Sequence, residues 1–557
     1  MPQSEGLKVH RAASALALAE SGNDAARQGL YQEAAYLFRA ALRFDPDNAL
    51  LYNNLGLSLS ECGRQLEAFE AFSQALRLAP ESPIIHNSMG NLCFLLYRMQ
   101  EAIAHYQQAV RLDSTYVSPY INLGRAWRMC GDERRCLGMS QQAVELDPDN
   151  TAALENYLFS LNYFDMPPDW IAAEHVRLAP VAYGAETAVP VPEAERNRTV
   201  RIGFVSPDFK NHPVAQFMLP VLRALHRRLE IVCYAQVACP DTMTDQLRKV
   251  GCAWRSTVGM PDTVMAALIR EDRIDILIDL AGVTEGNRLG VFARKPAPVQ
   301  CTWLGYPNTT GLSQIDYRIT DAVADPPGLT EQFHAEKLLR MPRSFIVFEP
   351  LESSSVAPLP KQDLTLCCFN NLAKVPDGLL VLWSEILRQL PEARLLLKYA
   401  FFSDQFVQEL TISRLVRHRI DPQRVVMTGF TPTKAEHLGM YGRCHIALDT
   451  FPYNGTTTTC EALWMGVPVV TQAGRAHVSR VGASILSAMG CPELIASSGT
   501  DYIKKVVSLA QDRSRLRQYR AGLRDRMRLS PLMDVEAFAA DLARLCRVIM
   551  KVRYSHE

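Results

Sequence analysis

The chain has 557 residues, more than one core accommodates, so roughly two to four domains are expected. Lys+Arg and Asp+Glu both number 59, and this balance gives no reason to expect a nucleic-acid or membrane-surface partner. No run of about 20 apolar residues occurs, so no membrane span is expected, and 14 cysteines scattered without CxxC pairs fit a reducing compartment, read as the cytoplasm, better than a disulfide framework or a zinc site.

The chain begins MPQSEGLKVHRAASALALAESGND. Its Ala/Leu stretch is short and is interrupted by Glu20, which reads as a helix rather than a secretion signal. Three series of positions then share a step of 34 residues. ALRFDP, ALRLAP, AVRLDS and AVELDP end at Pro46, Pro80, Ser114 and Pro148. Gly56, Gly90 and Gly124 form the second series. Gly29, Gly63 and Gly131 form the third, with Tyr97 in the place of one glycine. Two helices per step of about 34 residues is the tetratricopeptide pattern. Its small residues let paired helices approach closely, and the Asp-Pro step closes the second helix. The DPD triplets at Asp45 and Asp147 look like metal-binding DxD but fall on these turns, so they are read as turn chemistry. Such a superhelix exposes a concave face suited to docking a protein, or serves as a spacer or dimerisation element.

Residues 1–155 are assigned to this superhelix. Residues 156–198, with MPPDW and ETAVPVPEAERN, read as a linker holding one possible helix, Trp170 to Leu178.

From residue 199 short apolar runs alternate with amphipathic ones. Strands are expected at 200–206, 230–236, 275–280, 298–305 and 316–320. After a Ser/Pro-rich linker at 349–363, more are expected at 364–370, 393–400, 424–430, 445–450 and 467–471. This alternation predicts parallel sheets covered by helices. Two such blocks, 199–348 and 364–557, predict two Rossmann-like lobes. No GxGxxG follows the first strand, so a dinucleotide fingerprint is absent. Ligands bind at the carboxyl ends of the strands in such sheets, which places the site in the cleft between the lobes.

Those ends carry chemistry. Asp208 and His212 follow the first strand, and Pro213 suits the first turn of the next helix. A histidine near a helix start is disfavoured in its charged form, as a general base requires; it is equally a loop residue or a cap. Lys374 follows the strand at 364–370, where a cation can meet a phosphate that also faces helix N–H groups; otherwise it is a solvated lysine. Lys434 and His437 open a helix and could face a phosphate and a flat ring. In DTFPYNGTTTTCEALW, Asn454-Gly455 permits a tight turn and Thr457 or Thr458 can cap the next helix. Glu461 is expected in the first turn, complementing the helix dipole or accepting from ribose hydroxyls.

The order of these pieces resembles the O-linked N-acetylglucosamine transferases, over nearly the whole chain. The resemblance rests on VRIGFVSPDFKNHPV, LAGVTEGNRLGVFARKPAPVQCTWLGYPNTTG, FNNLAKV, TPTKAEHL, LDTFPYNGTTTTCEALWMGVPVVT and SRVGASIL, and is nearest to the compact bacterial homologues. It implies a tetratricopeptide superhelix followed by a GT-B fold. It also implies UDP-N-acetylglucosamine as donor and inverting transfer to Ser or Thr hydroxyls of acceptor proteins, without a metal or other cofactor. By position it implies His212 as the active-site histidine and Asp208 as a proton acceptor. It puts Lys374 on the diphosphate, with Asn371 at a neighbouring donor position. Lys434 and His437 fall around the uracil, Thr456, Thr457 and Thr458 on the phosphates and sugar, and Glu461 on the ribose. Leu304, Gly305 and Pro307 form the wall around the sugar.

Two positions depart from the animal pattern, which has histidine at Thr456 and aspartate at Glu461. The animal His-rich segment before the first lobe has no clear counterpart. That leaves Asp208, His212 or the donor's own phosphate as the base. Plant-type relatives of this layout transfer fucose from a guanosine donor, so another nucleotide sugar is the first alternative. A repeat scaffold with a degenerate transferase module is the second.

Overall fold

The computed structural model describes residues 2–184, 199–352, 354–361 and 363–555. It divides into two compact units. One holds residues up to 127 with 134–148 and 257–261; the other holds 128–133, 149–256 and 262–557.

The first unit is built of antiparallel helix pairs. Phe38, Phe72 and Tyr106 recur at the repeat step and are buried. Each faces a glycine on the helix before it. A Cβ on Gly56 would stand 2.7 Å from Phe72, and one on Gly90 2.5 Å from Tyr106. The third series marks the turn between the paired helices. Gly29, Gly63 and Gly131 have φ of 75°, 73° and 70°, and Tyr97 holds the same left-handed conformation at 59°. The turn geometry therefore persists where its preferred residue is missing. Asp45-Pro46-Asp47 and Asp147-Pro148-Asp149 lie in turns between helices. Asn48 and Asn150 then cap the helices that follow.

The segment read as a linker from 156 differs from that expectation. It starts inside the helix Thr151–Leu161 and holds a second one, Pro168–Tyr183, longer than the helix expected there. Pro167 and Pro168 stand at the start of that helix and Pro180 near its end, where a missing N–H is tolerated better than at the centre. Residues 185–198 lie outside the described residues.

The second unit contains two parallel sheets. The first comprises β1 (Arg201–Ser206), β2 (Glu230–Ala235), β3 (Ala253–Ser256), β4 (Ile276–Asp279), β5 (Val299–Thr302), β6 (Tyr317–Asp321) and β7 (Lys337–Met341), in the order β3-β2-β1-β4-β5-β6-β7. The second comprises β8 (Thr365–Cys368), β9 (Arg394–Lys398), β10 (Val425–Thr428), β11 (Ile446–Leu448), β12 (Val469–Gln472) and β13 (Ile495–Ala496), in the order β10-β9-β8-β11-β12-β13. All ten expected strands are present. The three that were not expected, β3, β7 and β13, are edge strands, too short or too exposed to show an apolar run.

The lobes touch directly. Ser484 donates to Asp321 at 2.5 Å, Arg480 Nε donates to the Val323 carbonyl at 2.9 Å, and His477 Nδ1 lies 2.6 Å from Asp325. The C-terminal helix Val535–Ser555 crosses back to the first lobe, stacking Phe538 on Trp303 with centroids 5.9 Å apart.

Candidate active site

The two lobes present matching devices at the ends of their central strands. Asp279, ending β4, accepts from Ala281 N, Gly282 N and Thr302 Oγ1 at 3.0, 2.8 and 2.8 Å. Asp449, just past β11, accepts from Thr450 N, Gly455 N and Thr471 Oγ1 at 2.9, 2.7 and 2.6 Å. Both are buried, and burial pushes each carboxyl up to about 6 against these hydrogen bonds. Each carboxylate pins the loop that its strand feeds into the cleft.

In the second lobe the pinned loop is the threonine run. Asn454 is fully buried and is held by Thr450 O, Val478 O and Gly482 N. Its own carbonyl accepts from Lys374 Nζ at 2.9 Å. Lys374 ends the short helical turn Leu372–Lys374 after β8, and Asn371 caps that turn by accepting from Ala373 N at 2.9 Å. The Lys374 ammonium also lies 3.7 Å from the centre of the Tyr453 ring. Burial lowers its pKa to about 8, with Asp449 and Cys368 opposing.

The helix opens one residue earlier than expected. Thr456, not Thr457 or Thr458, is the N-cap of Thr457–Trp464, and its side chain makes no capping hydrogen bond. The cap hydroxyl and the first-turn N–H groups are therefore available to an anion. Thr458 Oγ1 is engaged, donating to Asn370 Oδ1 at 2.5 Å. Asn370 was missed in the sequence; it ties the end of β8 to the start of this helix.

Because the helix opens earlier than expected, Glu461 falls just outside the first turn, and it is buried. It pairs with Lys434 through Oε1 and with His437 Nε2 at 2.7 Å through Oε2. Burial alone would raise its pKa, but the His437 bond and the Lys434 charge outweigh it and hold the carboxyl low. The His437 ring packs against the touching pair Phe369 and Tyr441, with centroids 6.0 and 5.8 Å away. Lys398, at the end of β9, feels the same carboxylate and was also missed, although the strand-end rule points to it.

In the first lobe His212 caps the helix Pro213–Leu225, with Nδ1 accepting from Val214 N at 3.3 Å. Its Nδ1 lies 3.5 Å from Asp208. Burial, with Lys210 adding to it, lowers His212 to about 4, while burial raises Asp208 to about 6. Leu304 takes a left-handed φ of 70° just after β5. It delivers Gly305 against the Leu280 carbonyl, 1.8 Å from where a Cβ would stand. Tyr306 then turns inward to a buried network with Asn162 and His175.

A cavity of ≈ 590 Å³ opens between the lobes, walled by the β5, β11 and β12 loops and the turn before Pro168–Tyr183. Of the expected site residues it includes only Pro307. Lys374, the threonines and the Lys434–His437–Glu461 cluster lie outside its lining. Among the described residues, no group of three or more His, Cys, Asp or Glu is placed to hold a metal ion. No described helix is long and apolar enough to cross a membrane.

A repeat superhelix followed by two parallel α/β lobes, with a lysine and an open helix start at the strand ends, defines a protein of the two-lobed GT-B class. The chain belongs to glycosyl transferase family 41, whose profile matches residues 177–350 and 350–542. Tetratricopeptide-repeat profiles match residues 22–63 and 54–117. It is 38% identical over 422 residues to the tomato (Solanum lycopersicum) protein named "Probable UDP-N-acetylglucosamine--peptide N-acetylglucosaminyltransferase SPINDLY", covering 72% of this chain and 45% of that one. It is 26% identical to the Caenorhabditis elegans UDP-N-acetylglucosamine--peptide N-acetylglucosaminyltransferase, covering 62% of this chain and 40% of that one. The chain thus spans about half the length of the curated relatives it matches. Among solved structures, a mutant of the Thermobaculum terrenum O-GlcNAc transferase superposes with a TM-score of 0.85 at 31% identity, covering 90% of this chain and 98% of that one.

Proposed function

We propose that the chain is an inverting glycosyltransferase that moves N-acetylglucosamine from UDP-N-acetylglucosamine onto Ser or Thr hydroxyls of proteins, with the repeats docking the acceptor. The observation that carries this reading is the placement of the Lys374 ammonium on the loop that opens into Thr456 and the helix Thr457–Trp464. A diphosphate seated there meets one fixed cation, a free cap hydroxyl and unpaired N–H groups. These groups supply charge compensation without a metal, and the reading includes none. Glu461, with Lys434 and His437, suits the ribose and base, since a carboxylate holding two partners still has lone pairs for hydroxyls.

In the reaction, the acceptor oxygen attacks the anomeric carbon from the face opposite the diphosphate. The carbon–oxygen bond to phosphate breaks, and its electron pair goes to the leaving diphosphate, which Lys374 stabilises. The single displacement inverts the anomeric centre. The acceptor proton goes to Asp208. A base works best with a pKa near the working pH, and Asp208, at about 6, is nearer to it than His212 at about 4. His212 accepts from Val214 N through Nδ1, so its proton resides on Nε2, where it donates rather than accepts.

A second reading, a related transferase using another nucleotide sugar such as GDP-fucose, draws on the layout shared with plant-type relatives, with Thr456 the position where the phosphate contact departs from the animal pattern. The deciding experiment is hydrolysis of a donor panel. Turnover of UDP-N-acetylglucosamine above all others is expected. Faster turnover of GDP-fucose would move the assignment to the second reading. No turnover of any donor, with no UDP or GDP binding at millimolar concentration, would leave a repeat scaffold with a degenerate module.

A further inference from the structure

We infer that Tyr453 is the positioning residue of Lys374: its ring face holds the ammonium at the threonine loop and so sets the charge that Lys374 brings to a diphosphate. The inference rests on the proposed role of Lys374, and Tyr453 has no part in that proposal.

The geometry is a clamp of two parts. The Asn454 carbonyl takes one N–H of the ammonium at 2.9 Å. The ring of the preceding residue lies 3.7 Å away, within cation–π range. One short stretch of loop therefore supplies both the hydrogen bond and the π face. That stretch is itself fixed, because Thr450 Oγ1 donates to the Tyr453 carbonyl at 2.6 Å and Asn454 is fully buried. The ring is backed by Tyr163, whose centroid lies 5.0 Å from it, and the Arg128 guanidinium lies over Tyr163 at 5.7 Å. Tyr163 directly follows the helix Thr151–Leu161 and its cap, so the clamp is braced from the end of the helical segment that leads into the lobes.

The ring acts on the ammonium in two opposing ways. It excludes water, which disfavours the charged form, and its electron-rich face attracts the cation. The ionisable groups around Lys374 are Asp449 beyond β11 and Cys368 on β8, and both favour the charged form. Burial brings the lysine down to about 8 in donor-free protein. An incoming diphosphate then completes its protonation.

Substitutions separate the two effects. Tyr453→Phe keeps the face and the dry contact. Tyr453→Leu keeps the contact dry and removes the face, so Lys374 is expected to titrate roughly one pH unit lower. Tyr453→Ala admits water and is expected to shift Lys374 toward the ordinary lysine value of about 10.4. The readout is competitive acetylation of Lys374 across pH in the donor-free 557-residue chain, followed by mass spectrometry. In parallel, kcat for donor hydrolysis is expected to fall roughly 10-fold in the leucine variant, with KM changing less, and to be kept in the phenylalanine variant. Opposite shifts in the leucine and alanine variants support the inference. The same titration in all three variants and the parent overturns it. Tyr453→Met replaces the leucine variant if that protein does not fold. The acetylation result stands whether or not the parent hydrolyses any donor, so failure of the proposed function is read separately.

Discussion

His212 and Asp208 lie 3.5 Å apart at the end of β1, yet the imidazole nitrogen nearest the carboxylate accepts a hydrogen bond from Val214 N. A nitrogen that accepts there leaves the ring proton on Nε2 and the carboxylate free to take a proton. Asp208→Asn should lower kcat by about 10²-fold or more and remove the acidic limb of the pH–rate profile near pH 6. His212→Gln, which can still donate, should reduce kcat less and keep that limb. The measurement is kcat against pH for transfer to a peptide. A limb that survives in Asp208→Asn would return the base role to His212 or to the donor phosphate.

Lys374→Ala should cut donor turnover by about 10²–10³-fold while leaving the helical content and the melting temperature close to the parent's. The lysine hydrogen-bonds the Asn454 carbonyl, and the buried Asp449 that faces its charge keeps hydrogen bonds from Thr450 N, Gly455 N and Thr471 Oγ1 when the lysine is removed. Circular dichroism and donor hydrolysis on one sample check both halves.

Glu461→Gln leaves the Lys434 ammonium and the His437 ring without their shared carboxylate. Lys434 is about one-third exposed (32%), so water screens part of this loss. UDP binding should weaken roughly 10-fold or more, whereas inorganic diphosphate binding should change little. Titration calorimetry with the two ligands separates a nucleoside effect from a general loosening of the lobe.

Asp279 and Asp449 both titrate at about 6 in the folded chain, above the ordinary aspartate value of about 3.9. A raised acid binds more protons folded than unfolded between those two values, so stability falls as pH rises through that window. The melting temperature should therefore decline from about pH 4 to pH 6 through these groups. Asp449→Asn should flatten that decline, because the amide does not titrate; its oxygen still accepts from the Thr450 and Gly455 N–H groups, and its NH2 donates to the Thr471 hydroxyl where the carboxylate accepted from it. Melting curves across the window decide it.

Gly63→Ala and Gly56→Ala test the two uses of glycine in the repeats. At Gly63 a Cβ meets nothing within 4 Å, but φ is 73°, so the strain is confined to the backbone at about 1 kcal/mol. At Gly56 a Cβ stands 2.7 Å from Phe72, and overpacking should destabilise by about 1–3 kcal/mol. Denaturant titration should show the second loss exceeding the first.

Much of this protein is written locally. The repeat step of 34 residues, the alternation of apolar strands with amphipathic helices, and the loops at strand ends all follow from periods that span a few residues or one helix pair. The sequence therefore placed Lys374, Thr456 and His212 in their loops before any packing was known. Other features depend on residues distant in sequence. Glu461 lies far along the chain from Lys434, and no local pattern shows that one carboxylate serves both Lys434 and His437. The Thr458 hydroxyl is taken by Asn370, 88 residues earlier in the chain, which no local pattern shows. The Tyr453 ring reaches the Lys374 ammonium only because β8 and β11 are neighbours in the sheet. Local periodicity fixes which element a residue occupies. Which charges and rings meet is decided by packing, because burial makes each unpaired polar group too costly to leave alone.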